Sequence, residues 1–561
     1  MTRPQRAFLI AVTILTAVTR WLALAKSPWD WDEMLFILAM RRYDVALHHP
    51  HPPGFPLWIF FAHLVHALGV DEFHALQCLA FLASVAVVPA MFFLCRALGL
   101  RFGTSLSAAA ILAFFPNVWF FGGTALSDVP SMTLVVIALA LLFDNRYIPG
   151  VVVLAVAAGI RPQNLLIGAI PLLLASARQR RRDVAMAALI LAAIVGVSYG
   201  VAIEKTGWTA YRETVAAHGD YIAKIDSFRS PLRPPLRRVF LDFFVRPYRM
   251  PAINIAVALF AAVSLVAGLV KRRRHVLLML AAFGPFCLFA WLMLDRFSAS
   301  RFSIGYAPLI ALLAADGIAL VARKDAFAAI LVAAMIVWTW PALRVVHTTI
   351  APPVQAIDWI RAHVDRRMPL DVHRGMIPYA QALLADRDVR EVLSPSAPWT
   401  SGPTPLFLRE DPGAINFTRQ RGHLWWLTRQ RYFVVSVTPV TQRAVLRGGW
   451  YDEEGSDGAR WRWMGARSVT ELPPAPRAHL LLSLYVPRDL VGSPNIEVRL
   501  NGATIARVQA TTPNIDIERD VDARGDAANE LVIETDRAVK PPNDPRVLGL
   551  RLNALEWSLA K

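Results

Sequence analysis

The sequence predicts a polytopic α-helical membrane protein of about eleven transmembrane helices, followed by an extracytoplasmic region of α/β elements and then a β-sandwich. Three observations predict it. Of 561 residues, 55% are hydrophobic and only 18% charged, which leaves too little polar surface for a soluble chain of this size. The apolar residues gather in long runs with arginine clusters between them. After residue 350 those runs stop, and short alternating segments separated by proline and glycine take over.

The helices follow in order, and the arginines orient them. Helix 1 covers about 7 to 25, with Arg3 and Arg6 inside, so the segment from Lys26 to about Phe73 lies outside. No small-residue cleavage site follows this first run, so it is a retained helix rather than a removed signal. The stretch from Pro56 to Gly69 is too short to span and carries His63 and His66, which places it at the interface. Helix 2 (about 74 to 98) returns to Arg96 and Arg101. Helix 3 (about 104 to 121) exits at GGTALSD, and helix 4 (about 129 to 143) comes back to Asp144 and Arg146. Two shorter runs, about 148 to 160 and 163 to 177, are broken by Arg161-Pro162 and end at RQRRR. Helix 7 (about 184 to 203) leads out to a long basic segment from Glu204 to Met250. Helix 8 returns to KRRRH, and helix 9 exits at DRFSASR. Helix 10 comes back to Arg323 and Lys324, and helix 11 (about 326 to 346) leaves the rest outside. Arg178 to Arg182 and Lys271 to Arg274 both fall inside, as the positive-inside rule requires. The formal net charge of +17 is therefore read as a topology signal rather than as a nucleic-acid footprint. Cys78, Cys95 and Cys287 lie far apart in apolar stretches and read as packing residues.

Three domains result: 1 to 349 in the membrane, 350 to 449 as a small α/β region, and 450 to 561 as the sandwich. VQAIDWIRAHV (354 to 364) and PYAQALLAD (378 to 386) have helical spacing, and RYFVVSV (431 to 437) reads as a buried strand. Further on, Asn501-Gly502 stands between two alternating runs in IEVRLNGATIARV, a hairpin signal because both turn positions must accept positive φ.

Two outward segments fit neither membrane nor linker: WDWDE (Trp29 to Glu33) and HPHPPGFPLW (His49 to Trp58). Asp30, Asp32 and Glu33 cluster where the first helix leaves the bilayer. Partial desolvation there would raise a carboxylate's pKa toward that of a general base. The same residues also suit a solvated helix start, with Asp30 or Asp32 as cap. Ser127-Asp128-Val129-Pro130 and Arg301-Phe302, with Pro308 downstream, share the outer side.

In order and placement these motifs resemble the GT-C superfamily of membrane glycosyltransferases, in the branch of protein mannosyltransferases and aminoarabinose transferases. The resemblance runs over about residues 5 to 345. It rests on Asp32-Glu33, His51-Pro52-Pro53, the Asp128-x-Pro130 pair and the Arg301-aromatic pair. It implies a donor sugar carried on polyprenyl phosphate and an acceptor on lipid, glycan or protein. The implied location is the cytoplasmic (inner) membrane, with the N-terminus cytoplasmic and the C-terminal domains extracytoplasmic.

On that reading Asp32 is the base, and Glu33 orients it or holds the acceptor. Asp128 and His51 bind substrate, while Arg161, Arg296 and Arg301 take the phosphate, whose oxygens suit a guanidinium fork. Arg161, in GIRPQ, would be costly in lipid unless it faced a cavity. Lys224, Arg229, Arg233, Arg237 and Arg238 suggest a mobile basic loop over the donor or attraction to anionic headgroups. A divalent cation remains an open requirement, since Pro50 interrupts His48, His49 and His51. Trp425, Trp426, Trp461 and Trp463 suit either sugar stacking or core packing. The alternative function is a transporter or lipid flippase with an outer accessory domain. It would favour two related halves with matching helix breaks, and only the break at Arg161-Pro162 is visible.

Overall fold

The computed structural model describes residues 1–231, 233–247, 250–322, 326–367, 370–392, 406–409, 415–418, 434–439, 444–456, 459–542 and 544–559. The chain divides into two units, one over Met1–Ala351 and one built from the described residues after it.

In the first unit the apolar runs form helices α1 (Arg3–Trp21), α2 (Trp31–Arg41), α3 (Pro56–His66), α4 (Glu72–Ala97), α5 (Phe102–Phe114), α6 (Pro116–Phe121), α7 (Asp128–Phe143), α8 (Tyr147–Ile160) and α9 (Asn164–Ser176). They continue as α10 (Arg181–Thr206), α11 (Trp208–Tyr221), α12 (Leu236–Phe240), α13 (Pro251–Val270), α14 (Arg274–Met293), α15 (Ala299–Phe302), α16 (Ala307–Val321) and α17 (Ala326–Thr348). Among the described residues, six helical stretches are long and apolar enough to cross a membrane by length and composition, as in a multi-pass membrane protein.

Two elements differ from the sequence reading. The expected helix 3 is two helices, because Phe115 precedes Pro116 and the proline ring disfavours helical ψ at that position. Phe115 sits at φ −54°, ψ 129°. The basic segment from Glu204 to Met250 is not an open loop: it holds α11, α12 and two π turns. Arg233 is pinned there, donating to the carbonyls of Trp291, Leu292 and Leu294 at the end of α14, where a helix C-terminus favours a cation. Arg323 and Lys324 lie outside the described residues.

The helices pack in neighbouring pairs, α4 on α7, α7 on α8, α8 on α10 and α13 on α16. The α13–α16 pair is so close that a Cβ on Gly317 would fall 1.9 Å from the Phe260 carbonyl oxygen. Beside it, buried Asp316 accepts from Arg273 at 2.6 and 3.1 Å and from Ser264 at 2.7 Å, anchoring the KRRRH cluster. At the other end, the peptides ahead of α2 and α7 are stitched together. Ala25 N–H donates to Gly123 O (2.9 Å), and Gln77 Nε2 bridges the Ala25 and Gly123 carbonyls at 2.8 Å each. These bonds bring two motifs about a hundred residues apart side by side.

The second unit begins with α18 (Pro352–His363) and α19 (Ile377–Leu383) beside strands β1 (Leu370–His373), β2 (Val389–Val392), β3 (Leu406–Arg409), β4 (Ile415–Thr418) and β5 (Val434–Pro439). The sheet order is β2-β1-β3-β5-β4, with β1 parallel to β2 and β3. Residues 431–433 of the expected strand lie outside the described residues. Two five-stranded sheets follow, built from β6 (Val445–Leu446), β7 (Trp450–Ser456), β8 (Ala459–Met464), β9 (Arg467–Leu472), β10 (Arg477–Tyr485), β11 (Asn495–Leu500), β12 (Ala503–Gln509), β13 (Asn514–Asp522), β14 (Asn529–Thr535) and β15 (Arg551–Leu559). Their orders are β13-β10-β15-β8-β7 and β12-β11-β14-β9-β6. Inward residues of both, including Leu480, Leu482, Val498 and Ile533, share one apolar core. The β11–β12 turn is Asn501-Gly502, at φ 50° and 86°.

Candidate active site

The WDWDE segment divides its three acids by position on one helix start. Asp30 is the N-cap of α2, with φ −121° and ψ 148°, and its side chain accepts from Asp32 N–H at 2.9 Å. Glu33, at the third helical position, reaches back as in a capping box. Its Oε2 accepts from Trp29 N–H (2.6 Å) and Asp30 N–H (2.8 Å). Its Oε1 accepts from Ala125 N–H (2.8 Å), in the segment leading to α7. Burial pushes the Glu33 carboxyl up to about 7, against the pull of these backbone donors.

Glu33 is thus a buried tie between two outer segments. Glu33→Gln sets an amide N–H against one of the three backbone donors, at a cost of about 1 to 3 kcal/mol. Thermal unfolding in detergent should show a lower midpoint. An unchanged midpoint would remove the tie.

Asp32 points elsewhere, into a cluster drawn from four further elements. His51, in the HPHPPG loop, places Nδ1 3.6 Å from Asp32 Oδ1. Its ring packs on Phe55 (4.7 Å between centroids) and Phe36 (5.8 Å). Hydroxyls hold the loop from outside, with Tyr43 donating to Gly54 O (2.7 Å) and Tyr211 to Pro53 O (3.0 Å). Gly54 has φ +113°, and a Cβ there would meet the Tyr43 hydroxyl at 2.6 Å, so only glycine fits. Burial lowers the His51 pKa to about 4, which leaves it neutral near pH 7.

Arg161 takes an extended conformation ahead of Pro162, φ −142° and ψ 114°, and this breaks α8 from α9. Its guanidinium, buried over the Phe55 ring at 5.2 Å, donates to Ser127 Oγ (2.9 Å) and Asp128 Oδ2 (2.8 Å). Arg301, on α15, donates from Nε to the same Asp128 oxygen (3.0 Å) and from Nη1 to Asp32 Oδ2 (2.5 Å). Asn117 holds the residues on both sides of it, donating to the Ser300 carbonyl (2.8 Å) and the Ser303 hydroxyl (2.9 Å).

The structure therefore brings Asp32, His51, Asp128, Arg161 and Arg301 into one ion-paired centre. Arg296 stands apart, on the turn Arg296–Ser298, with Nη1 3.9 Å from Asp242. Asn117 is a positioning residue that no local pattern in FFPNVWF announced. The raised pKa expected for a carboxylate of this cluster falls on Glu33, and at Asp32 the direction is the opposite. Burial pushes it up, but the charges of His51, when protonated, and of Arg301 outweigh that and hold the carboxyl below the usual range.

Among the described residues no group of three or more His, Cys, Asp or Glu is arranged to hold a metal ion. Asp32 and Asp128 are both engaged by guanidinium groups, so this donor set does not fit a divalent cation. In the second unit Trp461 lies against Arg551, 5.0 Å from its ring centroid. Trp425 and Trp426 lie outside the described residues.

Fold and site together define a multi-pass membrane protein with a buried acid–arginine centre and a C-terminal β-rich unit. No family model matches the sequence, and no curated protein matches it. The chain is similar to the solved structure of ArnT from Cupriavidus metallidurans bound to undecaprenyl phosphate, at 11% identity and TM-score 0.48, covering 72% of this chain and 93% of that one. It is similar to the Archaeoglobus fulgidus oligosaccharyltransferase tethered with an acceptor peptide, at 12% identity and TM-score 0.41, over 68% of this chain and 63% of that one. A third is arabinofuranosyltransferase AftD from Mycobacteria, at 13% identity and TM-score 0.41, over 99% of this chain and 59% of that one.

Proposed function

We propose that this protein is a GT-C-type glycosyltransferase that moves a sugar from a polyprenyl-phosphate-linked donor to a hydroxyl acceptor at the outer face of the cytoplasmic membrane. About eleven crossings put the N-terminus in the cytoplasm and everything after helix 11 outside. One observation carries the reading: a carboxylate, Asp32, stands beside two guanidinium groups, Arg161 and Arg301, that converge on one Asp128 oxygen.

Each group then has a chemical task. Asp32 accepts the proton of the acceptor hydroxyl as its oxygen attacks the anomeric carbon. The bond from that carbon to the phosphate oxygen breaks, and its electron pair leaves with the phosphate. Arg161 and Arg301 receive the negative charge that grows on the leaving phosphate, in a site whose burial strengthens the contact. Asp128 holds the two guanidiniums side by side, and neutral His51 packs against the base. A buried ion network also marks transport pathways, so the test must read bond cleavage. Purified protein incubated with polyprenyl-phosphate sugars and a mixed set of hydroxyl acceptors should release polyprenyl phosphate. Movement of intact donor across a vesicle with no release would favour the flippase.

A further inference from the structure

The centre is arranged so that the base and one of its cations neutralise each other. Arg301 is held at two ends: Nε on Asp128 Oδ2 at 3.0 Å, and Nη1 on Asp32 Oδ2 at 2.5 Å, with Asp30 Oδ1 3.7 Å from Nη1. Asp128 Oδ2 also takes Arg161 at 2.8 Å, which leaves that carboxylate braced from a second side. Asn117 contacts the Ser300 carbonyl and the Ser303 hydroxyl on either side of Arg301. The Nε end is therefore anchored, while the Nη end lies on the carboxylate that must later take a proton. A carboxylate in a charge-assisted bond to arginine is a poor proton acceptor.

We propose that Arg301 is a two-position residue: before the donor arrives its Nη end occupies Asp32, and the donor phosphate draws that end away about the Nε–Asp128 contact, which frees Asp32 to act. This inference rests on the proposed function and adds its regulation, namely that donor binding arms the base. A phosphate suits the exchange because it offers several oxygens to the guanidinium fork. Once Arg301 shares its charge with phosphate, the burial of Asp32 is no longer outweighed, and its affinity for a proton rises. An acceptor hydroxyl reaching the centre first would meet a paired, unreactive carboxylate. That protects the site from futile proton transfer before the donor is bound.

The exchange has a signature that a purely structural Asp32 lacks. Binding of a short-chain polyprenyl monophosphate to the full chain in lipid nanodiscs is measured for wild type, Asp32→Asn, Asp30→Asn, Arg301→Gln and the double variant Asp32→Asn/Arg301→Gln. Asp32→Asn should bind about tenfold tighter than wild type, because a neutral amide competes for Arg301 about half as strongly as a carboxylate. Asp30→Asn removes an equal charge from beside Arg301 at the longer distance, and should gain at most about twofold. The gain from Asp32→Asn should vanish in the Arg301→Gln background. If wild type binds and Asp32→Asn binds no tighter, or no tighter than Asp30→Asn, this inference falls while the proposed function stands. Persistence of the gain in the Arg301→Gln background would also overturn it. If wild type binds no polyprenyl phosphate, both fall together.

Discussion

Asp32→Asn is expected to lower sugar transfer by about 10² to 10⁴-fold, the range that a positioned general base contributes. Asparagine keeps the shape of the side chain and its reach toward Arg301 but removes the charge and the basicity. Donor binding should survive the change, and tighten if Asp32 competes for Arg301. Asp30→Asn, two residues away, should be much milder, because asparagine caps a helix as well as aspartate does and the Asp32 N–H keeps its acceptor. The measurement is turnover in detergent or nanodiscs, on variants shown to be folded and membrane-inserted. Near wild-type turnover in Asp32→Asn would remove Asp32 as the base. Glu33 would be a poor replacement, since both its oxygens are committed to backbone donors.

The second large effect is expected at Arg301. Arg301→Ala removes a donor of charge-assisted hydrogen bonds and leaves Asp32 and Asp128 facing an incoming phosphate with one cation fewer. A hydrogen bond to a charged group contributes about 1.5 to 3 kcal/mol, so donor affinity and transfer should both fall by roughly ten- to hundredfold. Arg301→Lys should rescue only part of this, because an ammonium lacks the planar fork that lets one guanidinium reach Asp128 and a second partner from different edges. Arg296→Ala should be far weaker, since that residue sits on Asp242 outside the centre. Equal losses from the Arg301 and Arg296 variants would remove the assignment of Arg301 to the phosphate. Donor affinity by equilibrium binding and transfer by release of polyprenyl phosphate separate the two contributions.

Much of this architecture could be read along the chain. The apolar runs became helices because a run of about twenty apolar residues has no better environment than a bilayer. Arg161 broke its helix because Pro162 follows it, and Pro116 broke another for the same reason. Asn501-Gly502 made a hairpin turn because its backbone tolerates positive φ. These are effects of a residue on its immediate neighbours, and they survive in any tertiary setting. Asp30, Asp32 and Glu33 could likewise be located as a group at a helix start.

What the three acids do was decided only by the fold. Glu33 became a tie because Ala125 N–H came within 2.8 Å of it. Asp32 became part of an ion-paired centre because Arg301, 269 residues away, came to rest on it. The same packing set the direction of the Asp32 shift, gave Arg301 rather than Arg296 the central place, and assigned Asn117 to hold it. Hydrophobic periodicity and turn chemistry are short-ranged and written in consecutive residues. Charge pairing depends on distances of a few ångströms between segments far apart in the chain, and those distances exist only once α2, α7, α8 and α15 have packed.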